Sequence, residues 1–223
     1  REALEARRRA LGAGHPQVAQ GLNNLAAALY AQENYAAAET LYREALEMRR
    51  ELLGEGHPDV ASSLYNLGVL QKAMKEYEQA LGTLSESYEM RRAILGEGHP
   101  DVATNLFNLA ETRYLMGECA EAIPLYERCL SIRRDALGRY HPHVADALRR
   151  LGICLKACGD SPRAEKILEE ACEAYDAARL RAGSGVSRAT FIESPYADLA
   201  QAKLELGKPE QAWAPAEREL ART

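Results

Sequence analysis

The chain has 223 residues and a formal net charge of −5, a balance that argues against a general nucleic-acid binder and against a polybasic membrane patch. No apolar run reaches the roughly 18 residues needed to span a bilayer, so the expectation is a cytoplasmic protein with no membrane partner. Five cysteines at irregular spacing (Cys119, Cys129, Cys154, Cys158 and Cys172) disfavour a disulfide framework and read as reduced thiols.

The opening segment Arg1-Glu2-Ala3-Leu4 aligns with Arg43-Glu44-Ala45-Leu46. Residues 1–14 therefore read as the second helix of a truncated repeat, cut from a longer protein. The mark Leu-Gly-x-x-His-Pro-x-Val-Ala then recurs four times at a period of 42 residues, with its histidines at His15, His57, His99 and His141. A fixed period of this length signals a stacked repeat array. The units are 15–56, 57–98, 99–140 and 141–181. The proline after each histidine suits the first turn of a helix, and the histidine before it is biased toward extended backbone.

In the first unit, Leu22, Leu25, Ala26 and Leu29 share one helical face. Glu33-Asn34 makes a short turn. A second helix over about Tyr35–Glu51 turns Tyr35, Ala38, Tyr42, Ala45 and Leu46 inward, and Leu53-Gly54 ends it. Small residues recur in the first helix as Ala26, Gly68, Ala110 and Gly152, and in the second as Ala38, Ala80, Ala122 and Ala164. After a Gly-Ser-rich connector over 182–192, a divergent terminal repeat occupies 193–223, recognisable from Tyr196, Leu199, Ala200, Gly207 and Ala212.

Two antiparallel helices per unit with small residues at fixed contact positions form the tetratricopeptide pattern. The expected fold is all-α, a right-handed superhelix (α-solenoid) of antiparallel helix pairs. The run from Leu11 to Ala26 resembles the repeats of kinesin light chains and their relatives. That resemblance implies a protein-interaction scaffold, with Asn24, Asn66 and Asn108 contacting the backbone of a bound peptide. The segment from Tyr196 to Arg222 is similar to repeats that lead into caspase-like CHAT protease domains, which implies a regulatory arm as an alternative role. A self-associating spacer is a third reading, although a monomer is favoured.

The histidines lie one repeat apart, so stacking should spread them along a loop edge rather than around one metal. They read as structural turn residues. Cys154 and Cys158 share a helix face, but core thiols are the simpler reading for all five cysteines. Arginine pairs at Arg7-Arg8, Arg49-Arg50, Arg91-Arg92 and Arg133-Arg134 fall near the end of each second helix, where cations suit the helix dipole and neighbouring glutamates are at hand. No catalytic arrangement, metal site or cofactor site is discernible, so no enzyme activity is expected.

The first-helix residues not needed for packing should line a concave groove. One column reads Asn24, Asn66, Asn108 and Arg150. Its neighbour reads Asn23, Tyr65, Phe107 and Arg149, and a column farther along reads Tyr30, Lys72, Tyr114 and Lys156. Asparagine is a mediocre helix former, so three in register need a reason. Its amide can match peptide backbone or bond to the adjacent repeat. The aromatics supply anchors, and the cations at one end predict an aromatic or aliphatic ligand with acidic residues.

Overall fold

The computed structural model describes residues 2–12, 14–182 and 193–220. These form eleven helices among the described residues: α1 (Glu2–Leu11), α2 (Pro16–Ala31), α3 (Tyr35–Leu53), α4 (Pro58–Ala73), α5 (Tyr77–Leu95), α6 (Pro100–Leu115), α7 (Cys119–Leu137), α8 (Pro142–Ala157), α9 (Ser161–Ala182), α10 (Tyr196–Glu205) and α11 (Pro209–Leu220). No strand occurs among the described residues. No helix there is long and apolar enough to cross a membrane. The expected connector over 182–192 lies outside the described residues, apart from Ala182, which ends α9.

The fold is a tetratricopeptide solenoid of antiparallel helix pairs, divided into two compact units, residues 1–97 and 98–223. In the first unit α2 pairs with α3 and α4 with α5, while α1 packs on α2. In the second unit α6 pairs with α7, α8 with α9, and α10 with α11. The first helix of each full repeat has 16 residues. The second has 19 in the first three repeats. It runs two residues past the expected Glu51, because nothing before Gly54 breaks it.

Each repeat begins with the same device. His15, His57, His99 and His141 are N-cap residues in extended backbone, each followed by proline in the first turn. The imidazole Nδ1 accepts a hydrogen bond from the backbone N–H two residues on, at 3.2, 3.1, 3.1 and 3.2 Å in turn. This satisfies one of the N–H groups that a helix start leaves unpaired. The stops are equally regular. Gly54, Gly96 and Gly138 close α3, α5 and α7 with φ of 83, 84 and 83°, a region open to glycine.

The core of the first unit gathers Ala26, Leu29, Ala38, Tyr42, Leu46, Val60, Leu64, Leu67 and Leu70, with Met74 and Met90 packed against it. Leu25, assigned inward from its spacing, is only partly buried there. In the second unit Leu168, Cys172, Tyr196, Leu199 and Ala202 join α9 to α10. The last pair departs from the pattern. Pro195 occupies the N-cap of α10 with no side-chain cap. Tyr196 instead donates its hydroxyl to Asp176, and Lys203 reaches Glu169 at 2.7 Å and Glu165 at 3.4 Å.

Candidate functional site

The first helices present two adjacent columns, and within each unit the columns have different jobs. Asn66, on α4, donates from Nδ2 to Oδ1 of Asn23 on α2 at 3.0 Å. Asn23 thus reaches forward to the next repeat and Asn66 reaches back. The same division holds in the second unit. Arg149 reaches forward to Asp198 on α10 at 2.7 Å, and Arg150 reaches back to Glu111 on α6 at 3.6 Å. Successive helix residues are about 100° apart, so two neighbours can face opposite repeats. Asn24 is exposed, and its Oδ1 accepts from Gln20 Nε2 at 2.8 Å. Asn108 is buried, unlike the open position expected of it, and donates to the Thr104 carbonyl at 3.0 Å.

The expected basic end is not a bare patch of charge. The carboxylate of Glu193, just before α10, contacts Arg149 and lies 4.0 Å from Arg150. Lys156 lies 4.0 Å from Glu205. Burial works against the Arg150 charge, but Glu111, Asp146 and Glu193 together hold its pKa above the ordinary value. Burial also pushes the Asp146 carboxyl up, with Arg133 and Arg150 opposing it. The Nε of Arg150 is buried and has no hydrogen-bond partner. Glu193, Asp198 and Glu205 were not among the expected site residues. An insertion before the last pair puts Asp198 49 residues after Arg149, out of step with the period.

The aromatic residues expected as anchors also have partners. The Arg91 guanidinium lies 4.6 Å from the Tyr65 ring centroid. Arg133 lies 4.5 Å over Phe107, which packs edge-on against Tyr126 at 5.7 Å. Tyr30 packs on Tyr35 at 5.7 Å. Tyr114 and Lys72 are half-buried.

These contacts revise the reading of the arginine pairs. In the pairs Arg49-Arg50 and Arg133-Arg134 the first member is a clasp between helices. Arg49, 3% exposed, donates to the Asp59 carbonyl at 3.0 Å, Ser63 Oγ at 2.7 Å and Gln20 Oε1 at 2.6 Å. It ties α2, α3 and α4 together. Arg133 does likewise for α6, α7 and α8, donating to the His143 carbonyl at 2.7 Å while covering Phe107. In three of the four pairs the second member reaches across repeats to a glutamate 36 residues on, Arg8 to Glu44, Arg50 to Glu86 and Arg134 to Glu170, whereas Arg92 pairs locally with Glu89 and Glu97.

The cysteine reading also needs correction. Cys129, Cys154 and Cys172 are buried, but Cys158 is exposed and Cys119 is half-buried. Among the described residues, no group of three or more His, Cys, Asp or Glu is arranged to hold a metal ion. A cleft of about 480 Å³ lies between α1 and the α2–α3 pair, lined by Leu25, Leu29 and Leu41 among others. A second, of about 350 Å³, lies between α9 and the last pair. Neither holds an expected site residue.

The tetratricopeptide repeat family model matches residues 1–51, 17–93, 72–135 and 101–177. Among solved structures, BtubC (BKLC) from P. vanneervenii is similar with a TM-score of 0.80 and 22% identity, covering 97% of this chain and 85% of that one. A kinesin light chain-like protein of Podosopora anserina with nearly identical TPR-like repeats matches with a TM-score of 0.76 and 21% identity, over 93% of this chain and 95% of that one. The Rap protein complexed with Competence and Sporulation Factor matches at 0.67 and 16%, over 88% of this chain and 51% of that one. No curated protein matches this chain. With the family pattern running through all four full repeats, the chain belongs to the tetratricopeptide repeat family.

Proposed function

We propose that the chain is a protein-interaction module without chemistry of its own, and that it takes an extended acidic peptide along the first-helix rows. The observation that carries this reading is the cluster of Arg149, Arg150 and Lys156 on one face of α8. Its carboxylate partners include Glu193, which stands on non-helical backbone outside the pairs. A ligand carboxylate could take the place of Glu193 without unmaking any helix. Arginine forks favour such bidentate exchange. Asn66 bonds across to Asn23 of the neighbouring repeat and Asn24 to Gln20 of its own helix, and an amide can make more than one hydrogen bond, so both can also meet a peptide backbone. The similar Rap protein, solved with Competence and Sporulation Factor, lends the fold a precedent for holding a bound factor.

The test uses fluorescently labelled peptides that combine an aromatic residue with acidic flanks, and measures Kd by polarisation. Arg150→Ala is expected to weaken binding by about tenfold, an effect on the order of one hydrogen-bonded charge pair. A parallel melt should show little change in Tm. Unchanged affinity, or a peptide series with no binder, would sink the proposal.

A further inference from the structure

Three of the five thiols meet at one place that sequence spacing does not reveal. Cys119 opens α7, Cys154 lies in the last turn of α8, and Cys158 is the C-cap of α8. Packing of α8 on α7 brings them together. The Cys154 Sγ lies 3.5 Å from the Cys119 carbonyl oxygen, to which it donates. Cys158 follows Cys154 by one helical turn on the same side of α8, which brings its thiol beside Cys119. Cys158 is exposed and Cys119 half-buried, whereas Cys154 is enclosed. An accessible thiol beside a second thiol on another helix is an arrangement that thiol–disulfide exchange can use.

We propose that Cys119 and Cys158 form a reversible dithiol–disulfide site, oxidised by small-molecule disulfides, with Cys154 remaining reduced behind them. The exposed Cys158 loses its proton to solvent, and its thiolate attacks one sulfur of glutathione disulfide. A protein–glutathione S–S bond forms, the reagent's S–S bond breaks, and one glutathione leaves with the proton. Cys119, deprotonated in turn, attacks the Cys158 sulfur and expels the second glutathione. The protein loses two electrons and two protons, which reduce one disulfide to two thiols. The two protein sulfurs close to about 2.0 Å.

The bond would join the start of α7 to the end of α8, and so lock two consecutive repeats. The neighbouring Cys119 thiol holds Cys158 up at about 11, and burial holds Cys154 up at about 12. Both thiols therefore rest protonated at neutral pH, and exchange should quicken as pH rises.

The experiment treats the chain with glutathione disulfide at mildly alkaline pH, followed by intact mass, peptide mapping and a melt. The expected product has lost two hydrogens, carries no glutathione, links Cys119 to Cys158, and melts about 5 °C higher or more. Dithiothreitol should reverse it. Cys119→Ser should instead retain glutathione on Cys158, and Cys172→Ser should oxidise as the parent does. A stable glutathione adduct on the parent chain would overturn the proposal. So would a link only between molecules, or no reaction.

Discussion

Leu84 and Leu168 face glycines across their helix pairs, whereas Tyr42 and Tyr126 occupy the same position opposite alanines. A methyl built on Gly68 would stand 2.7 Å from Leu84 Cγ, and one on Gly152 would stand 2.6 Å from Leu168 Cγ. The branch point of leucine fills the space that a flat tyrosine ring leaves for Ala26 or Ala110, both fully buried. Gly68→Ala should therefore cost about 1–3 kcal/mol through overpacking. Adding Leu84→Tyr should recover most of that loss, which a double-mutant cycle by urea denaturation would measure. The turn between the helices of each pair offers the opposite change. Glu33 and Lys75 hold φ of 59 and 65°, where the third and fourth repeats carry Gly117 and Gly159. A non-glycine residue there pays about 1–2 kcal/mol, more than the extra chain entropy of glycine, about 0.5–1 kcal/mol. Lys75→Gly should raise stability by about 0.5–1 kcal/mol, visible as a higher Tm. The small-residue columns were readable from the period alone. Which small residue needs which partner was not, because that depends on how close two particular backbones lie.

Between elements, the buried arginines carry more than the exposed ion pairs. Exposed pairs such as Arg50 with Glu86 contribute under about 1 kcal/mol each. Arg49 satisfies three acceptors on two other helices through one rigid guanidinium. Arg49→Lys keeps the charge but offers a single ammonium point, so it should destabilise by about 1–3 kcal/mol in a denaturant titration. A neutral change in stability would show that the clasp is incidental. The histidine cap of α8, His141, adds a pH dependence. Its Nδ1 must be unprotonated to accept from His143 N–H. Burial, and then the Arg133 charge, lower the pKa of both His141 and His143; the charge of His141 adds to the effect on His143, and Asp146 opposes it. The folded state thus binds fewer protons than the unfolded chain. Stability from these groups is complete above about pH 6.5, the ordinary histidine value, and is lost as pH falls below it toward the depressed folded values. His141→Asn keeps a capping oxygen without the titration. It should flatten the decline in Tm between about pH 7 and 5; an unchanged slope would assign the pH dependence to other groups.

For the molecule as a whole, the acidic total and the cationic face of α8 are compatible because the acids are placed on it. Glu193 and Asp198 neutralise Arg149, and Glu111 faces Arg150. An acidic peptide bound as proposed would exchange with the least embedded of these. Glu193, about half exposed, is less enclosed than Asp198 or Glu111. Glu193→Gln should therefore tighten binding of an acidic peptide several-fold while leaving a neutral peptide unaffected. Raising salt from about 0.05 to 0.5 M should weaken the acidic peptide in both proteins, since ionic screening shortens the reach of these charges. Salt-independent affinity would mean that the arginines do not meet the ligand.

The 42-residue period by itself determined the helix pairs, the histidine–proline starts, the glycine stops and the small-residue contacts, since each repeats whatever its neighbour demands. It also marked Asn66 and Arg150 as residues outside the packing face. Tertiary structure decided what those residues touch. The partners of Arg149 come from Glu193 and Asp198, beyond an insertion that breaks the register, and Cys119 meets Cys158 only because α7 and α8 pack together. A repeating pattern specifies contacts that recur with the period. Contacts made once, between non-equivalent positions, depend on where the helices place their side chains in space.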